Sequence, residues 1–342
     1  MQKRPTARRR EPAPGIFRLV LSLPFPGLDR VNAYLLTDES NGAVLVDCGI
    51  FDPAEPEGGW SDLTAAVNAC GIEPAGVTRL VVTHPHIDHY GMAGRFMEQI
   101  ECAMWMHQDV DDELDMYRHP DKVAARLREM FGDHGVEEDE LDELTAYEDW
   151  RHYLSSIATP TELVADGHTF DAGGRTWRAV HTPGHSRSHI CLFSESDRIL
   201  ISGDHLLPAI TPHIDFKRGL DADPLGEFLA SLERVEALAP ALVFPGHGRP
   251  FEEGAERARV NIRHHDRRLG SILQIIRREP HSASEITEEI WGGELLNFQR
   301  RLALGEALAH LAYLVKQGDI ERLEGDDGTF VYKKVARSGP AL

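Results

Sequence analysis

The sequence lacks paired cysteines, long apolar runs and a secretory signal, and each absence excludes a class of protein. Its 342 residues contain four cysteines that stand singly, so neither a disulfide framework nor a zinc–thiolate site is expected. No apolar run approaches the roughly 20 residues of a bilayer span. The basic, proline-rich N-terminus has no apolar core of a signal peptide. We therefore expect a soluble, cytoplasmic protein with reduced thiols and no membrane partner.

Positive charge is also scarce. The formal net charge is −20, and residues 101–150 hold 17 Asp and Glu against 4 Lys and Arg. A polyanion needs several Lys or Arg contacts, so this balance disfavours nucleic acid as a partner. The glycine patterns of serine hydrolases, P-loop proteins and dinucleotide-binding folds are absent as well. We therefore expect a small-molecule substrate and a reaction that uses neither a serine nucleophile nor a bound nucleotide.

One short stretch, Thr83–Gly91 (THPHIDHYG), concentrates residues that bind metals. His84 and His86 are two apart after an apolar run, so on extended backbone both imidazoles can point the same way. Asp88 and His89 then open the next element. Imidazole and carboxylate together suit zinc and similar divalent ions. A histidine-rich surface turn is the alternative, but four such residues at this spacing favour a metal site.

Three later turns carry one further candidate ligand each. His185 lies in HTPGHS, Asp204 in ISGDH and His247 in VFPGHG, each on a glycine-bounded turn after an apolar strand. Glycine allows the sharp turn that would direct a side chain to a shared centre. Each motif alone is compatible with a solvated loop. Their common position at strand ends favours one composite site.

The rest of the chain divides by its pattern. Residues 1–15 are predicted to be a disordered basic tail. Short apolar strands alternate with helical patterns over 16–252, which predicts sheets flanked by helices, and 107–160 is predicted to be an acidic helical insertion that caps a pocket. Residues 255–336 have the order helix, helix, helix, hairpin, which is the outline of a winged helix.

Local signals set several boundaries. The pair Asn41-Gly42 predicts a hairpin turn. Ser61 is the predicted N-cap of a helix over about 60–70. Ser282 and Glu285 form a capping-box signature, and Gly318 is the predicted C-cap of a long helix.

Five motifs, VDCG, THPHIDHYG, HTPGHS, SGDH and PGHG, spread over about residues 16–252, resemble the metallo-β-lactamase superfamily, in its glyoxalase II-like group of dinuclear metal hydrolases. The resemblance implies an α/β protein with an αββα sandwich and two metal ions at one edge. It also implies that Asp47 orients ligands and that Asp204 bridges the ions. The implied ligands are His84, His86 and His185 for one ion, and Asp88, His89 and His247 for the other.

The resemblance implies hydrolysis. Two divalent ions, zinc before iron or manganese, would supply a metal-bridging hydroxide for attack on a carbonyl ester, thioester or lactone, with Asp88 and Asp204 as catalytic proton carriers. Two alternatives stay open. One is a phosphodiesterase or endoribonuclease of the same superfamily that uses the winged helix for nucleic acid. The other is an iron-dependent oxidoreductase resembling persulfide dioxygenases.

Substrate contacts are predicted only from proximity to the motifs. Tyr90 follows His89 directly, His205 follows Asp204, and His213 ends the adjoining loop. Each is equally compatible with a buried polar role. The winged helix is expected to serve packing or dimerisation, so a homodimer stays open.

Overall fold

The structure, a computed structural model, divides the chain into two compact units. The residues that it describes are 10–25, 27–37, 42–145, 150–217, 222–292 and 295–335. The first unit consists of Met1–Arg118, Trp150–Pro212 and Ser231–Ala258. The second consists of His119–Asp149, His213–Ala230 and Arg259–Leu342. Most of the segment predicted as a cap therefore groups with the C-terminal residues.

Ten α-helices occur in the described residues. They are α1 (Gly58–Asn68), α2 (Ile87–Tyr90), α3 (Ala93–Gln99), α4 (Asp111–Arg118), α5 (Pro120–Asp133), α6 (Glu138–Thr145), α7 (Pro224–Leu238), α8 (Gly254–Ile275), α9 (Ala283–Trp291) and α10 (Asn297–Gln317). Short 3₁₀ helices lie at Pro74–Gly76 and Trp150–Tyr153.

The first sheet has seven strands: β1 (Arg10–Ala13), β2 (Ile16–Phe25), β3 (Leu28–Thr37), β4 (Ala43–Val46), β5 (Val77–Val81), β6 (Ala103–His107) and β7 (Glu162–Val164). Neighbours are antiparallel from β1 to β4 and parallel from β4 to β7. Parallel neighbours need crossover connections, which α1 supplies between β4 and β5. Strand β4 reads AVLV and is buried along its whole length, as expected for a strand covered on both faces.

The second sheet has six strands: β8 (Thr169–Ala172), β9 (Arg175–His181), β10 (Ile190–Ser194), β11 (Ile199–Gly203), β12 (Leu242–Pro245) and β13 (Phe251–Glu252). Their order is β13-β12-β11-β10-β9-β8, and only the β11–β12 pair is parallel. An apolar cluster fills the space between the sheets, where Tyr34 of β3 stacks on Phe244 of β12 with ring centroids 5.5 Å apart.

Helices cover the outer faces of both sheets. A second apolar cluster joins the first sheet to α1, α3 and α4. On the second sheet, Ser231 and Arg234 of α7 donate hydrogen bonds to the carbonyls of Pro183 and His181. The layers are helix, sheet, sheet and helix, which confirms the predicted αββα sandwich.

The second unit combines helices with a small sheet of β14 (His281–Ser282), β15 (Ile320–Glu324) and β16 (Phe330–Lys334) in the order β14-β16-β15. The capping box of Ser282 and Glu285 is confirmed, with both reciprocal hydrogen bonds present. Gly318 ends α10 in the left-handed region at φ 72°, also as predicted. The predicted start of α9 and the predicted end of α10 are thus confirmed.

Three local predictions have a different outcome. Residues 1–9 of the predicted tail lie outside the described residues, but Arg10–Ala13 form β1, because their backbone pairs with β2 across a turn at Gly15 (φ 72°). Asn41 also lies outside the described residues, although β3 and β4 do pair antiparallel. Ser61 is not the N-cap of α1, because its backbone N–H already bonds to the carbonyl of Glu57.

Within the part of the chain that the structure describes, no helix combines the length and apolar character needed to cross a membrane. All four cysteines are free.

Replacing Tyr34 by Phe tests the link between the two sheets. Its buried hydroxyl donates a 2.8 Å hydrogen bond to the carbonyl of Pro245. That carbonyl also accepts a bond from Asn32, so the variant should lose only about 1 kcal/mol of unfolding free energy in urea titrations. Tyr153→Phe is the control, because its hydroxyl has no described hydrogen bond. An equal loss in both variants would contradict the assignment.

Candidate metal centre

The candidate ligands meet where strands of both sheets end. The stretch from His84 to His89 follows β5 and continues into α2, whose N-cap is His86. His185 follows β9, Asp204 follows β11, and His247 follows β12. Each strand ends in a short turn, so side chains that are up to 163 positions apart in the sequence reach one place.

The structure brings all seven candidate ligands into three overlapping groups, in which the possible ligand atoms lie within 4.8 Å of one another. Asp204 shares a group with His84 and His89 and so lies between the other two groups. The groups are His84, His86 and His185; His84, His89 and Asp204; and Asp88, His89 and His247.

Asp47 holds two residues, Thr83 and His89, of the stretch that carries four of the candidate ligands. Its carboxylate accepts hydrogen bonds from the backbone N–H and the hydroxyl of Thr83, at 2.7 and 2.9 Å, and lies 2.8 Å from Nδ1 of His89. Asp47 is itself held in the left-handed region at φ 60° and is 2% exposed. With Nδ1 of His89 engaged, Nε2 of the same ring is directed to the centre. This is the orienting geometry implied for Asp47.

Two carboxylates and two imidazoles are strongly coupled on one side of the centre. His247 Nε2 lies 3.1 Å from Asp88 Oδ2 and 3.3 Å from Asp204 Oδ2. Burial by itself raises the pKa of Asp204, but the neighbouring His247 and His89 hold that pKa well below its usual range. Burial by itself lowers the pKa of His247, but Asp204 and Asp88 raise it to about 10. These buried carboxylates are therefore stabilised by positive charge beside them.

The pKa of His84, on the other side of the centre, is shifted in the opposite direction. Burial, reinforced by the surrounding histidines, holds the pKa of His84 well below its ordinary value. His84 Nε2 lies 3.1 Å from Nδ1 of His86, and the His86 and His185 ring centroids are 4.5 Å apart. Neutral imidazoles with nitrogen atoms directed to one point are the form in which histidine binds a metal.

The residues fit divalent metal ions. His89 Nε2 and Asp204 Oδ1 face each other at 3.3 Å, both buried, without the alignment of a hydrogen bond. Buried polar atoms are rarely left this way unless a further group satisfies them. The donors are nitrogen and carboxylate oxygen, with no thiolate, which is the chemistry of zinc, iron or manganese sites.

Gly246 leaves the space that this cluster needs. Its backbone N–H donates to Gly203, and its carbonyl accepts from Asn32, both at 2.7 Å. A Cβ at this position would lie 2.2 Å from Asp204 Oδ1 and 2.7 Å from Cε1 of His89. The glycine of the PGHG motif is therefore required by close approach to the ligands, and not only by its turn.

Side chains of the first sheet hold the turn that carries His247, and sequence reasoning missed them. Arg18 donates to the carbonyl of Gly248 at 2.7 Å, and Asn32 donates to the carbonyls of Pro245 and Gly248 at 2.7 and 3.0 Å. His247 Nδ1 lies 2.9 Å from the carbonyl of Arg30. The available sequence signal was a polar residue, Asn32, within the otherwise largely apolar run Val31–Leu36.

His189 is a second residue that was missed. Its ring is fully buried, Nδ1 lies 2.8 Å from the hydroxyl of Thr182, and Nε2 accepts the backbone N–H of Asp204 at 3.2 Å. His189 therefore holds the backbone of Asp204, one of the seven candidate ligands. A second histidine four positions after His185 was the available signal.

A further group, His107, Asp109 and His181, also has ligand atoms within 4.8 Å. The two rings stack face to face, with centroids 3.8 Å apart and an interplanar angle of 14°. A metal lies near the plane of each imidazole that binds it, so stacked rings are poorly arranged for a shared ion. Nδ1 of His107 also accepts the N–H of Asp109 at 3.3 Å. We interpret this group as packing.

The three predicted substrate contacts lie in different places. Tyr90 is fully buried in the core beside α1 and α3, and its hydroxyl donates to the carbonyl of Ala158 at 2.5 Å, so its ring offers no free surface. His205 is also fully buried, and burial lowers its pKa to about 3. His213 belongs to the second unit, where Nδ1 lies 3.6 Å from Glu306. The buried polar alternative describes Tyr90 and His205 better.

Two family comparisons agree with this geometry. Residues 26–247 match the sequence model described as "Metallo-beta-lactamase superfamily", which is more than half of the chain. Residues 269–335 match the one described as "Metallo-beta-lactamase-like, C-terminal domain".

Individual relatives extend the likeness over most of the chain. "Probable metallo-hydrolase YqjP" of Bacillus subtilis is 24% identical over 86% of this chain and 91% of its own length. The crystal structure of a "Beta-lactamase domain protein" from Burkholderia ambifaria is 33% identical, with a TM-score of 0.84, and covers 98% of this chain and 97% of its own. "Atrochrysone carboxyl ACP thioesterase" of Aspergillus fumigatus is 28% identical over 40% of this chain and 41% of its own length.

Gly246→Ala tests the spatial requirement at the centre. The added methyl group must displace Asp204 or His89, so we expect metal affinity to fall by about 10- to 100-fold, measured by competition with a chromophoric chelator. Gly270→Ala is the control, because a Cβ there meets no atom within 4 Å. Unchanged affinity in Gly246→Ala would contradict the geometry described.

Metal uptake should release protons. In the metal-free protein Asp204 and Asp88 raise the pKa of His247 to about 10, so at neutral pH the ring carries a proton that an ion has to displace. Apparent metal affinity should therefore rise as the pH is raised from neutrality toward this pKa. Calorimetric titration in buffers of different ionisation enthalpy measures the released protons directly. A binding enthalpy that is independent of the buffer would contradict the expectation.

Proposed function

Because the chain belongs to the metallo-β-lactamase superfamily of hydrolases, we propose that it is a dinuclear metal-dependent enzyme that cleaves a carbonyl ester, thioester or lactone. The observation that carries the proposal is that seven His and Asp side chains form three overlapping groups, one of which contains Asp204. One ion would be held by the group of His84, His86 and His185. The other would be held by the group of Asp88, His89 and His247, with Asp204 shared by both ions.

Two divalent ions at this place would polarise a substrate carbonyl and lower the pKa of a water molecule toward about 7. The residues of the chain supply orientation and proton transfer. Asp88 and Asp204 keep 12% and 11% of their side chains exposed, whereas His89 has none exposed. A substrate or solvent molecule can therefore reach the two carboxylates, which we assign as the proton carriers, while His89 only holds its position.

Carbonyl substrates are favoured over phosphodiesters by charge. Residues 101–150 are strongly acidic, and residues 256–342 hold 14 Lys and Arg against 13 Asp and Glu, so neither region concentrates the positive charge that a polyanion requires. The thioesterase among the relatives supports an acyl substrate. A small-molecule acyl compound is thus the proposed substrate, and an endoribonuclease is the alternative that the experiment below separates.

We assign zinc as the metal because the donor set consists of nitrogen and oxygen atoms. We assign a cytoplasmic location because the four cysteines are free. The C-terminal helices and the three-stranded sheet are proposed to be a winged helix that serves packing or dimerisation, since their charge is balanced.

A substrate panel tests the reaction class. The metal-loaded protein should hydrolyse acyl thioesters or lactones, with little turnover of bis(p-nitrophenyl) phosphate and weak RNA binding at two salt concentrations. RNA cleavage with a steep salt dependence, together with no thioester or lactone turnover, would favour the endoribonuclease.

Replacing Asp204 by Ala tests the shared ligand. Metal content by mass spectrometry should fall from two ions per chain, and hydrolysis should fall by at least about 100-fold, because both ions lose a ligand. Asp29→Ala is the control, since this carboxylate is exposed at the surface. Unchanged occupancy in Asp204→Ala would count against the dinuclear assignment.

A further inference from the structure

Glu113 is a buried carboxylate outside the ligand groups. It lies in the first turn of α4 and is 3% exposed. Its Oε2 atom accepts hydrogen bonds from the hydroxyl of Ser186 at 2.8 Å, the hydroxyl of Ser188 at 2.5 Å and the backbone N–H of Ser188 at 2.9 Å. Oε1 accepts the backbone N–H of Arg187 at 3.3 Å. All four donors come from three consecutive residues.

Those three residues connect two residues of the centre. His185, one of the candidate ligands, comes directly before Ser186. His189, whose ring accepts the backbone N–H of Asp204, comes directly after Ser188. The loop therefore has to hold one ligand and the support of another, and Glu113 binds the segment between them.

The bonding pattern is specific for a carboxylate. A buried charge is unfavourable unless several donors surround it, and charge-assisted hydrogen bonds are stronger than neutral ones. Glu113 meets that condition only with the loop in its present conformation, because two hydroxyls and two backbone N–H groups must converge on it. Any other conformation of residues 186–188 would leave this charge buried with fewer donors. These hydrogen bonds therefore fix the loop relative to helix α4.

We propose that Glu113 is a positioning residue that holds the 186–188 loop so that His185 stays aligned with His84 and His86 for metal binding. The inference rests on the proposed dinuclear site, because it assigns a role toward the ion held by these three histidines. Glu113 belongs to no ligand group and has no part in the proton transfer assigned to Asp88 and Asp204.

Glu113→Ala and Glu113→Gln separate this role from a purely structural one. The alanine variant removes all four bonds, so the affinity for the ion held by His84, His86 and His185 should fall by about 10- to 100-fold, the range typical when the support of a ligand is lost. Glutamine retains one acceptor oxygen and should fall between wild type and alanine. Affinity for the second ion should fall less, because Asp88, His89 and His247 all lie outside this loop.

The measurement is competition with a chromophoric chelator on the full-length protein, together with the visible spectrum of the cobalt-substituted form. The increase in melting temperature on metal addition is recorded as well. A positioning role reduces that increase, whereas a purely structural role lowers the melting temperature equally with and without metal.

Asp112→Asn is the matched control. Asp112 precedes Glu113 and pairs with Arg187 of the same loop at 3.1 Å, but the Asp112 side chain is 59% exposed and that of Arg187 is 36% exposed. Exposed pairs contribute little, so this variant should bind both ions like wild type. The double variant Ser186→Ala, Ser188→Ala removes two donors without touching α4, and it should weaken the same ion.

The outcomes are distinct. If wild type binds two ions and both Glu113→Ala and the serine double variant bind them with unchanged affinity, the inference is wrong while the dinuclear site stands. If Glu113→Ala does not fold, the metal affinities of Glu113→Gln and the serine double variant test the inference, and unchanged affinity in both would contradict it. If wild type itself binds fewer than two ions, the proposed function fails first.

Discussion

The burial of Asp88 and Asp204 against imidazoles is the interaction on which the centre depends. Two carboxylates that are nearly removed from solvent require positive charge beside them, and His89 and His247 supply it as protonated rings when no ion is bound. A divalent ion satisfies the same requirement with more charge and directional bonds. The carboxylates that hold the metal-free cluster together therefore also favour metal binding, once the imidazoles release their protons.

The cluster depends on hydrogen bonds from the surrounding structure, which fix the orientation of its ligands. Asp47 fixes His89 from the first sheet, and Asn32 and Arg18 fix the turn of His247 from the same sheet. On the second sheet His189 supports Asp204. Every ligand-bearing turn is short and tied to a strand of the sandwich, so little conformational entropy is left to lose on binding. The fold thus supplies a preorganised centre, and the chemistry follows from the donors that it presents.

The sequence predicted the seven candidate ligands because their motifs are compact and combine histidine, aspartate and glycine at strand ends. It also predicted the sandwich, the capping box at Ser282 and the end of α10 at Gly318, which depend on short-range signals. It did not predict Glu113 or Asn32, whose partners in the ligand-bearing loops lie 73 to 216 positions away. It left Tyr90 as either a substrate contact or a buried polar residue, and the fold buries that ring in the core, because neighbours in sequence face different sides of a short helix.

The sequence by itself determined which donor atoms are available, and its five motifs carried the resemblance to this superfamily. Residue type and local spacing carry that information without reference to the rest of the chain. Only the tertiary structure decided how the ligands group, with Asp204 in one group with His84 and His89, and why Gly246 has to be glycine. Distances between residues on different sheets depend on packing and register, which no local pattern specifies. For the same reason the loop that carries His185 is tied to Glu113, a residue in a helix that the sequence pattern assigned to a cap.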